Sequence, residues 1–569
     1  MTGAARTRPN VLWISTHDIS PHLGCYAGVW PDAESATTPH LDRLAAEGVR
    51  WDRAFASVPV CGPSRSAITT GCFPTAIGTM HMRTKAVPPP QVRLLPELFR
   101  EAGYWTTSTG FTDFQVNTPP TTFDVFGDDA HWRSRPDGRP FFAAFHGLTT
   151  HESSLYLDDE AFAARTPHVR PDQRRDPAAV VLPPYYPDTP VFRRTWARYH
   201  ELITEMDHEI GVLLGQLEED GLAEDTVVVF WSDHGVGMPR AKRYPYEAGL
   251  REPLLVRWPG VLPAGSVRTE LVHLLDLYPT VLQAAGLPVP DHVHGRALFG
   301  PEGTFDDAPR PYVFGSRDRM DEQEDTSRTV RDERFRYIRN YHPDRSWMQH
   351  QNYADHTPTW AELRRLVADE GRQLAQGLVP DVLTDAQRSF TAPSKPAEEL
   401  YDVEADPHET RNLAADPAHA DDLARLSAAL EEWQTTFGDL GLRPERELAE
   451  HWRPGGRWER TATPAVERAD DGSLTLTCAT PGAVVGWSPA GDPASPAAAA
   501  AGGGLLADPG RATQILGNPE PDGRTWQLAT GPAWPPAGDL MVRAWRLGFL
   551  PSEEVVVPAH ATSTSTSTS

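Results

Sequence analysis

At 569 residues, 39% hydrophobic and 23% charged, the chain is too long for one hydrophobic core and reads as two or three ordinary globular domains. Its formal net charge of -25 argues against a nucleic-acid or anionic-membrane partner, since either needs a basic surface. Four cysteines, Cys25, Cys61, Cys72 and Cys478, are too sparse for a disulfide framework, and their spacing fits no zinc cluster.

The opening ten residues carry two arginines and no apolar run of signal-peptide length, and no later stretch approaches the roughly 18 apolar residues of a membrane span. A cytoplasmic location is therefore expected. The first apolar run predicts a strand over 11–15, and further strands are expected at 141–145 and 227–232. Helical patterns lie between them at 41–47 and 94–102, stopped by Gly48 and Gly103, and at 196–218. In the last of these, Ile203, Met206, Ile210, Leu213 and Leu217 recur at helical spacing and read as core. Strands interleaved with helices predict a mostly parallel sheet covered on both faces. Such sheets bind ligands beyond the carboxyl ends of their strands, where Thr16-His17-Asp18 and Ser232-Asp233-His234 would emerge.

This α/β domain is expected over 8–315, followed by an α+β subdomain over 316–454 with a strand at 335–339 and helices at 360–375 and 418–436. Short alternating runs at 474–478, 526–529 and 541–545 then predict a small β-domain over 455–558. It contains a low-complexity loop at 497–504, and a tail over 559–569, ending in alternating Thr and Ser, has nothing to bury.

The strongest local signal is Cys61-Gly62-Pro63-Ser64-Arg65, with Gly71 beyond it. A cysteine just before a helical run sits where backbone N–H groups favour an anion; alone, it would equally suit a half-buried structural thiol. These residues match the Cys-x-Pro-Ser-Arg motif, and the chain resembles the type I sulfatases. The likeness extends through Asn10-Val11-Leu12, Thr38-Pro39-His40-Leu41-Asp42, Ser232-Asp233-His234-Gly235, Leu250-Arg251-Glu252-Pro253-Leu254 and Leu400-Tyr401-Asp402, over roughly residues 8–440. Within the family it is similar to heparan N-sulfatase (sulfamidase) and related bacterial sulfatases, through Phe314-Gly315-Ser316-Arg317, Arg334 to Asn340 and the 183–190 loop.

The resemblance implies an alkaline-phosphatase-like α/β/α sandwich with an α+β subdomain and a small terminal β-domain. It implies hydrolysis of sulfate esters or sulfamates, with a sulfated small molecule or carbohydrate as substrate. It also implies a formylglycine made from Cys61 by a formylglycine-generating enzyme. One divalent metal, calcium by resemblance, would be held by Asp18, Asp233, His234 and the modified Cys61. Arg65 would stabilise the formylglycine hydrate, His151 would donate to the sulfate or leaving group, Lys242 would bind sulfate, and Arg317 would belong to the substrate-binding region. O-sulfate against N-sulfate, and the oligomeric state, are left open.

Three departures from the family pattern stand out. His17 occupies the place of one acidic metal ligand and would itself ligate, which, with His234 also present, brings manganese or zinc into consideration beside calcium. Phe111 and Asp113 stand where the family places a lysine and a histidine. His81 could then serve as the base, and Arg83 and Lys85 as replacement cations; otherwise the chain would be a catalytically impaired anion-binding homologue. A phosphate or phosphonate ester hydrolase on the same scaffold is the alternative enzyme.

Overall fold

A computed structural model describes residues 8–30, 34–136, 138–305, 308–490, 519, 524–533 and 538–559. The expected low-complexity loop at 497–504 and the Thr-Ser run from Ser563 lie outside the described residues. The chain divides into two compact units, Met1–Thr84 with Phe145–Arg443, and Lys85–Ala144 with Pro444–Ser569. In chain order the strands begin with β1 (Asn10–Thr16), β2 (Val49–Phe55), β3 (Trp105–Ser108), β4 (Val125–Phe126), β5 (Phe141–His146), β6 (Thr226–Ser232), β7 (Arg251–Arg257), β8 (Ser266–Arg268) and β9 (Val272–His273).

In the first unit β1 and β6 run parallel, with Thr16 opposite Ser232. β7 is antiparallel to β6 and to β2, and β8 and β9 lie parallel to β2. The sheet is thus mixed rather than mostly parallel. The cause lies in the connection from β6 to β7, whose one helix is the four-residue Glu247–Leu250. A parallel return needs the chain to travel back along the sheet, and this connection stays at the carboxyl end of β6. Every residue of β6 and β7 is buried, which requires cover on both faces.

Helix α1 (Pro39–Glu47) has Pro at its start. Its first free N–H groups, those of His40 and Leu41, donate to the Asp207 carboxylate at 3.1 and 2.8 Å. Asp207 belongs to the long helix Pro190–Glu219, so one buried side chain ties the two helices together. Helix α2 (Cys61–Thr70) is buried along its whole length and ends at Gly71, whose φ of 67° suits the left-handed stop. Behind it an antiparallel sheet runs in the order β10 (Val313–Arg317), β11 (Ser327–Arg331), β12 (Phe335–Asn340) and β13 (Glu398–Asp402). Helix Ala420–Phe437 lays Leu426, Leu430 and Trp433 on Val330, Tyr337 and Leu400, in one core with Ala67 and Phe73.

In the second unit β3 pairs in parallel with β4 and with β5. The C-terminal region forms antiparallel pairs from β14 (Ala465–Arg468), β15 (Leu474–Thr477), β16 (Val484–Pro489), β17 (Gln527–Leu528), β18 (Leu540–Trp545) and β19 (Val555–Val557). Leu547 shares a core with Leu94, Phe114, Val116 and Phe123, and Arg100 donates to the Trp526 carbonyl at 2.7 Å. This β-region therefore packs on the 85–144 segment. Among the described residues no helix is long and apolar enough to cross a membrane.

His200, on helix Pro190–Glu219, is fully buried among the rings of Trp196, Tyr199 and His22. Burial, reinforced by His22 and Arg175, holds its pKa well below the ordinary histidine value, so the folded chain keeps it neutral. Below about pH 6.5 the unfolded chain takes up a proton there that the folded chain refuses, and stability falls as pH falls. His200→Phe is expected to remove this contribution, flattening the fall by up to about 1.4 kcal/mol per pH unit between pH 6 and 4. Denaturant unfolding of both proteins across that range checks the prediction, and equal slopes would contradict it.

Candidate active site

The register of β1 against β6 delivers the two acidic strand ends side by side. Asp18 follows β1 with a φ of 55°, a left-handed conformation that a short polar side chain tolerates. Its N–H donates to Asp233 Oδ1 at 3.2 Å. Cys61 opens α2, is 4% exposed, and its Sγ lies 3.2 Å from His234 Nε2. His17, Asp18, Cys61 and Asp233 converge as one buried set able to hold a metal ion.

His234 joins that set from the next position. Its Nδ1 lies 3.0 Å from the Gly235 carbonyl, which can only accept, so this nitrogen carries the hydrogen. Nε2 then turns a lone pair toward Asp18 Oδ1 at 3.2 Å and Asp233 Oδ1 at 3.6 Å. A lone pair facing two carboxylate oxygens in a buried site is repulsive unless a cation lies among them. The donor chemistry therefore fits a divalent cation held by Asp18, Asp233 and His234 next to residue 61.

Lys242 supplies fixed positive charge beside this set. Its Nζ lies 2.9 Å from Asp18 Oδ2 and 2.7 Å from Glu152 Oε1. Burial disfavours the ammonium, but Asp18, Cys61 and Glu152 outweigh it and hold the pKa well above the ordinary lysine value. The same lysine keeps the Asp18 carboxyl below its usual range against the cost of burial. Arg243 forks onto Glu152 with contacts of 3.0 and 2.9 Å. Its backbone, at a φ of 79°, is pinned by its N–H to the Pro59 carbonyl and by Arg317 Nε to its own carbonyl at 2.8 Å. The loop also lies tight against helix Glu247–Leu250: a Cβ on Gly249 would stand 2.2 Å from the Tyr244 oxygen and 2.3 Å from that of Ala241.

Arg65 reaches inward from α2. It donates to Asp233 Oδ2 at 2.9 Å, Ser15 Oγ at 3.2 Å, the Thr16 carbonyl at 3.2 Å and His17 Nε2 at 2.8 Å. His17 Nδ1 lies 3.1 Å from Asp233 Oδ2, and burial together with Arg65 pushes the His17 pKa down to about 3. His151 precedes the short helix Glu152–Leu155 and its Nδ1 accepts the Ser153 N–H at 3.3 Å. That assignment leaves hydrogen on Nε2, and the ring hydrogen-bonds the Cys61 thiol. Burial raises the thiol pKa of Cys61, although Lys242 opposes it, so an unmodified cysteine here is a poor nucleophile.

The other expected residues make contacts of their own. His81 is buried, and its Nδ1 accepts the Arg319 N–H at 3.3 Å. Arg317 is fully buried, ion-paired with Asp325 and flanked by the rings of Tyr244 and Trp347. Arg83 is exposed. Phe111, Asp113 and Lys85 belong to the second unit, where Lys85 lies over the Trp458 ring. Glu152, Arg243 and His146, which lies 2.5 Å from Ser15 Oγ, were not singled out by the sequence motifs. The one signal for the first two was their adjacency to His151 and Lys242.

A family model described as Sulfatase matches residues 9–136 and 124–287, and one described as N-sulphoglucosamine sulphohydrolase, C-terminal, matches 238–375. An ulvan-active sulfatase of Formosa agariphila is 34% identical over 589 residues, covering 97% of this chain and 91% of that protein. Human N-sulphoglucosamine sulphohydrolase is 29% identical over 485 residues, covering 76% and 91%. Among solved structures, BT4656 in complex with its substrate D-glucosamine-2-N,6-O-disulfate superposes with a TM-score of 0.54 at 19% identity, covering 77% of this chain and all of that one. Phosphonate monoester hydrolase of Agrobacterium radiobacter gives 0.55 at 18% identity, covering 83% and 100%. These two likenesses speak for the fold, an alkaline-phosphatase-like α/β sandwich. With a full-length relative at this identity and a buried Cys-x-Pro-Ser-Arg helix start beside Asp18, Asp233 and His234, the chain belongs to the sulfatase family and is a hydrolase of sulfuric ester or sulfamate bonds.

Proposed function

We propose that this sulfatase removes sulfate from an anionic carbohydrate, with residue 61 working as formylglycine and a divalent cation held by Asp18, Asp233 and His234. The observation that carries the reading is the placement of Cys61 Sγ 3.2 Å from His234 Nε2, inside a cage of paired carboxylates and cations. When present, the formylglycine hydrate supplies the nucleophilic oxygen and the metal polarises it. A sulfated polysaccharide of the ulvan type is favoured as substrate, because the relative matched through the C-terminal β-region is named for that activity. N-sulfated glucosamine, the substrate class in the name of the human relative, is the other member of the same chemistry. A chain of net charge -25 can hold such an anion only by local cations, and Lys242, Arg243 and Arg65 concentrate them here.

Each residue then has a task. The Lys242 ammonium, permanently charged between Asp18 and Glu152, faces negative charge gathering on the sulfate oxygens. His151, fixed through Nδ1, presents Nε2–H to the leaving oxygen as a donor. Arg65 holds the Asp233 carboxylate and the end of β1 in register, and Arg317 with Glu152 holds the strained backbone that carries Lys242. The Cys61 thiol, raised in pKa by burial, cannot replace the modified group.

Mass spectrometry of the peptide containing Cys61, from protein made in its own host, is expected to show a species about 18 Da lighter than the cysteine form. Unmodified thiol alongside a correctly modified control sulfatase would remove the nucleophile from the reading. Turnover of sulfated sugars is expected to exceed that of phenylphosphonate and phenyl phosphate; the reverse order would make the enzyme an ester hydrolase of phosphorus.

Lys242→Ala is expected to lower kcat by roughly 10²–10³. His151→Ala should cost roughly 10²–10⁴ on sugar sulfates, whose leaving alcohol needs a proton, and far less on 4-nitrophenyl sulfate, whose leaving group does not. Equal losses on both substrates would deny His151 the donor role.

A further inference from the structure

The two histidines beside the cation centre make different contacts. His17 stands next to Asp18, and its imidazole has two nitrogens but, when neutral, one hydrogen. Arg65 Nη2 lies 2.8 Å from His17 Nε2, and a guanidinium can only donate, so that nitrogen spends its lone pair on Arg65. The hydrogen is then on Nδ1, which faces Asp233 Oδ2 at 3.1 Å. No lone pair remains for a metal while this arrangement holds. His234 is the converse case: its Nδ1 hydrogen faces the Gly235 carbonyl, and its Nε2 lone pair faces Asp18 Oδ1, Asp233 Oδ1 and residue 61.

We propose that His17 stands outside the metal's ligands and positions Asp233 and Arg65, leaving a centre of two carboxylates, one imidazole nitrogen and residue 61 that selects manganese or zinc over calcium. The inference rests on the reading of a divalent cation at this site. Calcium is a hard ion that takes six to eight oxygens and gains little from imidazole. Manganese and zinc accept nitrogen, and zinc is content with about four donors. The backing of a ligating carboxylate by a second hydrogen-bonded residue is a recurring way of fixing metal geometry. Here Asp233 is backed twice on one oxygen, by Arg65 Nε at 2.9 Å and His17 Nδ1 at 3.1 Å, while its other oxygen is 3.6 Å from His234 Nε2.

The test uses the full-length protein stripped of metal and titrated calorimetrically with calcium, manganese and zinc chlorides, with no substrate present. Manganese or zinc is expected to bind at least about 10²-fold more tightly than calcium; calcium binding as tightly as either overturns the selectivity. Pulsed EPR of the manganese-loaded protein counts coordinated nitrogens, and one is expected. His234→Ala should abolish the nitrogen coupling, and His17→Ala should leave it unchanged. Loss of coupling in His17→Ala, or two nitrogens in the parent protein, places His17 among the ligands. Circular dichroism melts of both variants establish that they are folded, and His17→Gln, which keeps a side-chain donor, serves if His17→Ala is not. Failure of all three ions to bind would remove the cation reading itself, separately from the choice between ions.

Discussion

The architecture of this enzyme turns on an electrostatic problem created by one strand pairing. Running β1 parallel to β6 with Thr16 opposite Ser232 brings Asp18 and Asp233 to the same point, both fully buried. Two carboxylates out of water repel each other and lose their hydration, a cost of several kcal/mol per ion unless cations answer them. The fold answers from three directions. Arg65 comes from α2, Lys242 from the loop after β6, and a bound dication would fill the space that the His234 lone pair faces.

Those answers explain much of the surrounding backbone. Arg65 can reach Asp233 because α2 begins where the chain leaves β2 and is buried along its length. Lys242 can reach Asp18 because its loop folds tightly against two glycines, Gly235 and Gly249, whose N–H and carbonyl are joined at 3.1 Å. Arg240 and Arg243 in that loop adopt left-handed backbone conformations, a strain of about 1–3 kcal/mol each that persists only when surrounding contacts enforce it. Glu152 and Arg317 are such contacts. The antiparallel sheet that carries Arg317 thus supports the site through the backbone of a neighbouring loop.

Charge selection at the site is local. The chain as a whole repels anions, yet Lys242, Arg243 and Arg65 are buried and paired with Asp18, Glu152 and Asp233, where lower effective dielectric strengthens each of them. The paired acids cancel part of that charge and hold the cations still. Preorganised charge of this kind requires little rearrangement when negative charge develops on a substrate oxygen.

Much of this was legible in the sequence, for identifiable reasons. Strand and helix periods set the α/β alternation, and Cys61-Gly62-Pro63-Ser64-Arg65 pointed to a candidate nucleophile because its likeness to the Cys-x-Pro-Ser-Arg motif is a contiguous, local pattern. Asp18, Asp233, His234, His151 and Lys242 could be proposed because each falls in a short segment that resembles a family motif. The direction of β7 was not legible, since apolar runs carry no sign of parallel or antiparallel pairing. Glu152 and Arg243 were missed because their importance is a pairing across 91 residues of chain, which no local pattern encodes. The two histidines look alike as residues beside acids. Only the tertiary structure, by setting Arg65 against one ring and a backbone carbonyl against the other, decided which nitrogen keeps a lone pair for a metal.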